Sequence, residues 1–193
     1  MRTVKGPRRT ARQAILDAAA GALADSPNES MAVIAEAAGV GRATLYRHFP
    51  SREALLSELS LEAIRLMDEA TVPILENASS AEEAFRRMLE AWLPFGDRFH
   101  FLATIPVSDL GPDVAVESQR QLDDLAAFVD HAKGEGLFAR NVSTAWIVAT
   151  IDALIWTAWS SVHRGELALR DAAPMVFRTL VEGLRRDDAS ETS

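Results

Sequence analysis

The sequence predicts an all-α fold of about nine helices, on three observations. Apolar residues recur every three to four positions in nearly every long segment. No run alternates β-branched and polar residues as a strand would. The breaks between periodic segments are short and rich in turn formers: "SPNES", "PFGD", "PVSDLGPD", "KGEGLFARNVS" and "RGELALRD". With 193 residues, 48% of them hydrophobic and 25% charged, the chain is long enough to bury a sizeable core.

The first helix is predicted over Thr10–Asp25, where Ile15, Ala18, Ala19, Ala22 and Leu23 share a face before Pro27 and Asn28 end it. Ser30 is placed to cap a second helix, Met31–Ala38, whose Ile34, Ala37 and Ala38 repeat at i, i+3, i+4. Gly39 supplies its C-terminus and a sharp turn. A third helix starts at Gly41 or Arg42 and stops at Phe49, because Pro50 pushes the residue before it out of helical space. Ser51 then caps a long helix, Arg52–Ala70, with Glu53 near its positive end. Further helices follow at about Ala81–Leu93, Arg98–Ile105, Asp113–Lys133, Thr144–His163 and Ala172–Arg186, and the tail "RRDDASETS" reads as a solvated end.

The net charge of −8 is unevenly spread. Residues 1 to 52 hold eight Lys+Arg against four Asp+Glu, whereas residues 53 to 193 hold 12 against 24. A small basic head on an acidic body is the electrostatic footprint of nucleic-acid binding. The absence of Cys excludes disulfides and thiolate metal sites. His48, His100, His131 and His163 form no HxH or HxxxH pair, so neither metal nor cofactor is expected. Arg12, Asp17 and Asp25 interrupt the segment behind the basic start "MRTVKGPRR", and no stretch approaches the roughly 20 uncharged apolar residues of a membrane span. A soluble, cytoplasmic protein is expected.

The stretch "GVGRATLYRHFPSREALL", Gly39 to Leu56, carries the most chemistry. At about 100° of rotation per residue, Leu45 and Phe49 fall together toward a three-helix core. Ala43, Thr44 and Arg47 then face away, with Arg42, Tyr46 and His48 on the flanks. A helix-turn-helix unit needs that arrangement: a tight turn containing Gly, then a short helix that enters a major groove. Arg42 and Arg47 have the forked donors that match guanine O6 and N7, and Thr44 offers a methyl and a hydroxyl. Tyr46, His48, Arg52 and Ser30, at the start of its helix, suit phosphate oxygens.

"IAEAAGVGRATLYRHFPSREALL" resembles, almost position by position, the signature of the TetR (tetracycline-repressor-type) family of bacterial transcriptional regulators. The resemblance covers residues 10 to 56 strongly and the remainder through helix count, length and the "GLFARNVS" turn before two long helices. It implies a helix-turn-helix DNA-binding domain at residues 1–52 and a larger ligand-binding and dimerisation domain at residues 53–193. It also implies a homodimeric repressor that binds a palindromic operator on double-stranded DNA and is released by a small-molecule inducer. Thr44, Tyr46, His48 and Arg52 match family positions that contact the DNA backbone or groove, and Arg42, Ala43 and Arg47 match variable positions that set sequence preference. The chain departs from the family at Met31, Ala32 and Val33, where many members are polar.

Family analogy puts dimerisation in the last two long helices. The residues support it: Ile147, Ile151, Ile155 and Ala158 make one apolar face and Trp146, Ala149, Ala153 and Trp156 another, while Val176, Thr179, Leu180 and Gly183 form a stripe on the last helix. Aromatic residues concentrate in the C-terminal part, where a helical domain can enclose a largely apolar ligand. The candidate ligand residues are Trp92, Phe99, Phe101, Trp146, Asp152, Trp156 and Trp159. Asp152 is the one ionisable residue between Trp146 and Ser161, so burial would require a partner: a cationic or hydroxylated ligand, or an Arg across a dimer interface. Two other readings stand beside the regulator. One is an all-helical enzyme using Asp109, Asp113, Asp130-His131 or Asp152, which lacks a nucleophile motif, metal spacing or phosphate loop. The other is a protein-binding helical bundle with a vestigial head.

Overall fold

The structure, a computed structural model, describes residues 10–184. The basic start at residues 1–9, the tail at residues 185–193 and the predicted helix end at Arg186 lie outside the described residues. Among the described residues there are nine α-helices and no strand.

Three short helices form the head: α1 (Ala11–Asp25), α2 (Met31–Ala37) and α3 (Arg42–His48). Hydroxyls cap both of the first two, with Thr10 accepting from the Gln13 N–H at 3.2 Å and Ser30 from Val33 at 3.3 Å. Between α2 and α3 the chain reverses at Gly39, whose φ of +66° lies in the left-handed region that a side chain disfavours.

Helix α4 (Arg52–Asn77) is capped by Ser51, which accepts from the Ala54 N–H at 3.2 Å. It runs well past the predicted stop at Ala70 and through Pro73. Proline removes one helical hydrogen bond, but Ile74, one residue later, is buried in the body core and holds the last turn down. Helix α5 (Ala81–Trp92) leads through a 3₁₀ turn, Leu93–Phe95, into α6 (Gly96–Phe99), a single turn. The helix predicted over Arg98–Ile105 is instead the end of α6 followed by a 3₁₀ segment, His100–Thr104. Helices α7 (Pro112–Gly134), α8 (Thr144–His163) and α9 (Leu169–Leu184) complete the chain.

Two apolar cores result. The head core joins Ile15, Leu23, Ile34, Leu45, Phe49, Leu55 and Leu59 to Phe99, Phe101 and Leu102, so head and body share packing across α4 and α6. The body core gathers α5, α7, α8 and α9 around Phe85, whose ring meets Phe128, Phe138 and Phe177 at centroid distances of 6.1, 5.6 and 5.8 Å.

Helix α8 is long and apolar enough by length and composition to cross a membrane, although Asp152 interrupts its apolar run as the sequence reading required. Its Ile147, Ile151, Ile155 and Ala158 are buried in the body core. On its other face Ala149 and Ala153 are exposed, and Trp146 is 63% exposed. The stripe predicted on α9 splits: Val176 and Leu180 belong to the core, and Thr179 and Gly183 face outward beside Met175.

Candidate functional site

Helix α3 buries two side chains and presents the rest. Leu45 and Phe49 are buried at 0% and 2% exposure, which fixes the rotation of the helix against α1, α2 and α4. Arg42, Ala43 and Arg47 are then exposed, Tyr46 is 49% exposed, and Thr44 and His48 are half-buried on the flanks. Neither Arg42 nor Arg47 has an ion pair among the described residues, so both guanidinium groups keep their donors for another molecule.

The remaining predicted contacts are used differently. Arg52 donates from Nη1 to the Glu29 carbonyl and from Nη2 to the Pro27 carbonyl, both at 2.5 Å, and so ties the loop before α2 to the start of α4. Ser30 accepts the cap bond through Oγ, and its N–H donates to Glu29 Oε1 at 3.0 Å. Val33 is exposed on α2 where a polar side chain would reach a groove, and Met31 and Ala32 are half-buried.

A cavity of about 1130 Å³ opens in the body between α4, α7 and α8. Trp92, Phe99, Asp152, Trp156 and Trp159 line it, together with Phe128 and the α4 side chains Thr71, Val72 and Leu75. Trp92 is oriented by an Nε1 donation to Thr71 Oγ1 at 2.9 Å. Trp156 donates to Asp152 Oδ1 at 3.1 Å, and its ring meets Trp159 edge-on at 4.7 Å. Asp152 is exposed at the rim of the cavity, and partial desolvation by these side chains raises its carboxyl from the ordinary value, offset in part by the Trp156 bond. Two predicted ligand residues lie elsewhere. Phe101 packs in the head core, and Trp146 stands on the exposed face of α8. His100 and His163 stack on each other at 3.7 Å, with His100 Nδ1 2.9 Å from the Gly96 carbonyl oxygen.

Sequence reading missed the junction between cavity and head. Gly96 lies so close under the Trp159 indole that a Cβ there would stand 2.2 Å from Trp159 Cδ1. Two residues on, Arg98 donates from Nη2 to Asp17 Oδ1 on α1 at 2.9 Å and to Glu62 Oε1 on α4 at 3.3 Å. Three buried side-chain atoms without a hydrogen-bond partner fall on this line: Trp159 Nε1, Arg98 Nε and Glu62 Oε2. The signal for it was "PFGD", where a glycine lies three residues before the phenylalanine that enters the head core, but nothing local ties Gly96 to Trp159.

The family model for bacterial regulatory proteins of the tetR family matches residues 15–59, which span the head from Ile15 of α1 to Leu59 of α4. The HTH-type transcriptional repressor LfrR of Mycolicibacterium smegmatis is 36% identical over 110 residues, covering 57% of this chain and 58% of the repressor. The regulator NfxB of Pseudomonas aeruginosa is 25% identical over 176 residues, covering 88% of this chain and 91% of NfxB. The crystal structure of LfrR in complex with proflavine superposes with a TM-score of 0.77 at 25% identity, covering 92% of this chain and 97% of that one. The head of the chain is similar in sequence to bacterial regulatory proteins of the tetR family. The sequence match to the family model thus falls on the basic head, and the superposition on LfrR extends over the all-α body.

Proposed function

We propose that the protein is a ligand-responsive transcriptional repressor that performs no chemistry. A head at residues 1–52 reads double-stranded DNA, and a body at residues 53–193 dimerises and binds an inducer. The observation that carries the DNA reading is α3: two buried anchors, Leu45 and Phe49, leave Arg42, Ala43, Tyr46 and Arg47 pointing outward with unpaired guanidinium groups. Arg42 and Arg47, with Ala43 between them in the groove, read base edges; Thr44, Tyr46 and His48 hold phosphates or the groove wall. Ser30 adds a phosphate contact at the start of α2, and Arg52 acts mainly by fixing the loop that carries it.

Two heads on one palindromic operator require a homodimer, because half-sites about one helical turn apart mirror the two-fold axis of the protein. The exposed faces of the last two long helices, Trp146, Ala149 and Ala153 on α8 with Met175, Thr179 and Gly183 on α9, supply a self-complementary surface with small residues. Such a regulator works in the cytoplasm.

The cavity is the inducer site, its walls largely apolar; the related LfrR is seen in complex with proflavine. Induction follows from linkage: a ligand that prefers the body conformation with misplaced heads draws the population off the operator, with coupling of about 1–3 kcal/mol. Ligand against Trp159 presses on Gly96, and Arg98 passes the displacement to α1 and α4.

Titrating a mixed-sequence duplex at several salt concentrations tests the DNA-binding surface. Affinity should fall linearly in log–log form as salt rises, and replacing both Arg42 and Arg47 by Ala should erase the difference in affinity between a preferred site and the mixed-sequence duplex. Binding with no salt dependence, or an unchanged sequence preference in the double variant, contradicts the reading.

A further inference from the structure

We propose that Arg12 of α1 is a positioning residue for the DNA-reading helix α3: it holds the Phe49 ring at the end of α3 and is itself held by Glu58 of α4. The proposal rests on reading α3 as the helix that meets base edges, and it concerns what sets the angle at which α3 is presented.

Helix α3 has few means of holding itself. It is seven residues long, far below the length at which a helix is stable alone, and Gly41 at its start supplies no side-chain cap. Among the described residues no side chain of α3 hydrogen-bonds or ion-pairs with another helix. Its anchors are Leu45 and Phe49, both buried and four residues apart, so they lie on one line along the helix. Two anchors on one line fix which face is buried and leave α3 free to rock about that line. Arg42 and Arg47 stand off the line, so rocking moves their donors against the base edges.

Arg12 restrains that motion. Its guanidinium carbon stands over the Phe49 ring, 5.3 Å from the centroid, within the distance at which a ring face attracts a cation. The same guanidinium donates from Nη1 to Glu58 Oε1 at 2.6 Å. That bond holds the Glu58 carboxyl below the ordinary carboxylate range, so the pair is charged at neutral pH. The two side chains are 45% and 32% exposed, and a pair so open to water adds little to stability. Its effect is on where the ring sits.

The pair also connects α3 to the body. One turn along α4 from Glu58, the Glu62 carboxylate accepts from Gln13 of α1 and from Arg98 of α6, both at 3.3 Å. Arg12 and Gln13 are neighbours on α1, and both hold α4. A shift of α4 against α1 therefore reaches Phe49 through Arg12.

The test measures the affinity of the purified full chain for two duplexes, the sequence most enriched from a random library and a mixed-sequence duplex of the same length. Arg12→Met and Glu58→Gln change the charge of the head in opposite directions. Both should nonetheless lower the ratio of the two affinities, by about fivefold, while melting within about 4 °C of the wild type. Phe49→Leu keeps an apolar anchor without a ring face; it should lower the ratio too, and adding Arg12→Met to it should lower the ratio no further. Lost stability alone weakens binding to both duplexes together and leaves the ratio unchanged. If Arg12 instead touches a phosphate, Arg12→Met weakens and Glu58→Gln strengthens binding to both duplexes, again at constant ratio. An unchanged ratio in either single variant overturns the proposal and leaves the reading of α3 standing. A wild-type protein that prefers no sequence overturns both.

Discussion

Asp152 and Arg52 show how far a single residue can be read before its neighbours are known. For Asp152 the sequence supplied the essential fact, a lone carboxylate on an apolar helix, and the structure supplies its surroundings: an exposed position at the edge of a cavity and an indole donor. The consequence is measurable without any ligand. Folding raises the Asp152 pKa, so the folded protein favours the neutral form, and the stability this group contributes at low pH is lost as pH rises through the raised value. Asp152→Asn should therefore melt at or above the wild-type temperature at neutral pH, and the two curves should converge below the ordinary carboxylate value of about 4. Thermal melts across that range check it, and a variant markedly less stable at neutral pH would mean that the charge is paired after all. Arg52 was misleading for the opposite reason. Its position before "EALL" says that it begins a helix, but only the folded loop brings the Pro27 and Glu29 carbonyls within reach of its guanidinium.

Helices with caps and a clear apolar period were legible to within a residue or two. Helices α1, α2, α3, α7 and α8 start within a residue of the predicted Thr10, Met31, Gly41 or Arg42, Asp113 and Thr144. The failures are elements whose ends depend on distant packing. Helix α4 runs on past the predicted end at Ala70 and through Pro73, its last turn held by burial of Ile74, and the segment after "PFGD" breaks into one α turn and a 3₁₀ stretch because it fills the space between head and body cores. The role of α6 makes a prediction at this scale. Gly96→Ala places a methyl against the Trp159 ring, which is buried and has little room to retreat. Overpacking of this kind costs about 1–3 kcal/mol, so the variant should unfold at lower temperature. Because Arg98 sits on α6 and holds Asp17 and Glu62, the variant should also show weakened DNA binding without ligand, as though partly induced. Melting curves and duplex titrations read the two effects separately. Lower stability with unchanged DNA affinity would place the signal route elsewhere.

Over the whole molecule, the helix-turn-helix spacing was readable from residues 1 to 56, and the basic head on an acidic body from the charge of residues 1 to 52 set against that of residues 53 to 193. Head and body are nonetheless not independent blocks. One apolar core runs from Ile15 and Leu45 to Phe99 and Phe101, and Arg12 Nη1 donates to Glu58 Oε1 at 2.6 Å, joining α1 to α4. Anything that shifts α6 against α8 is therefore felt at α3 through packed side chains, as ligand control of the head requires. The cavity was less legible, since Phe101 and Trp146 are as aromatic as Trp92 and Trp159 and only tertiary placement separates them. The central claim is that two copies of α3 read a symmetric site, and selection of bound duplexes from a random library by the purified protein at near-physiological salt tests it most directly. The account predicts an inverted repeat with half-sites about one helical turn apart, and relaxed preference at one position of each half-site when the selection is repeated with Arg47→Ala. Enrichment of no sequence by protein purified through unfolding and refolding, free of any carried ligand, would contradict it.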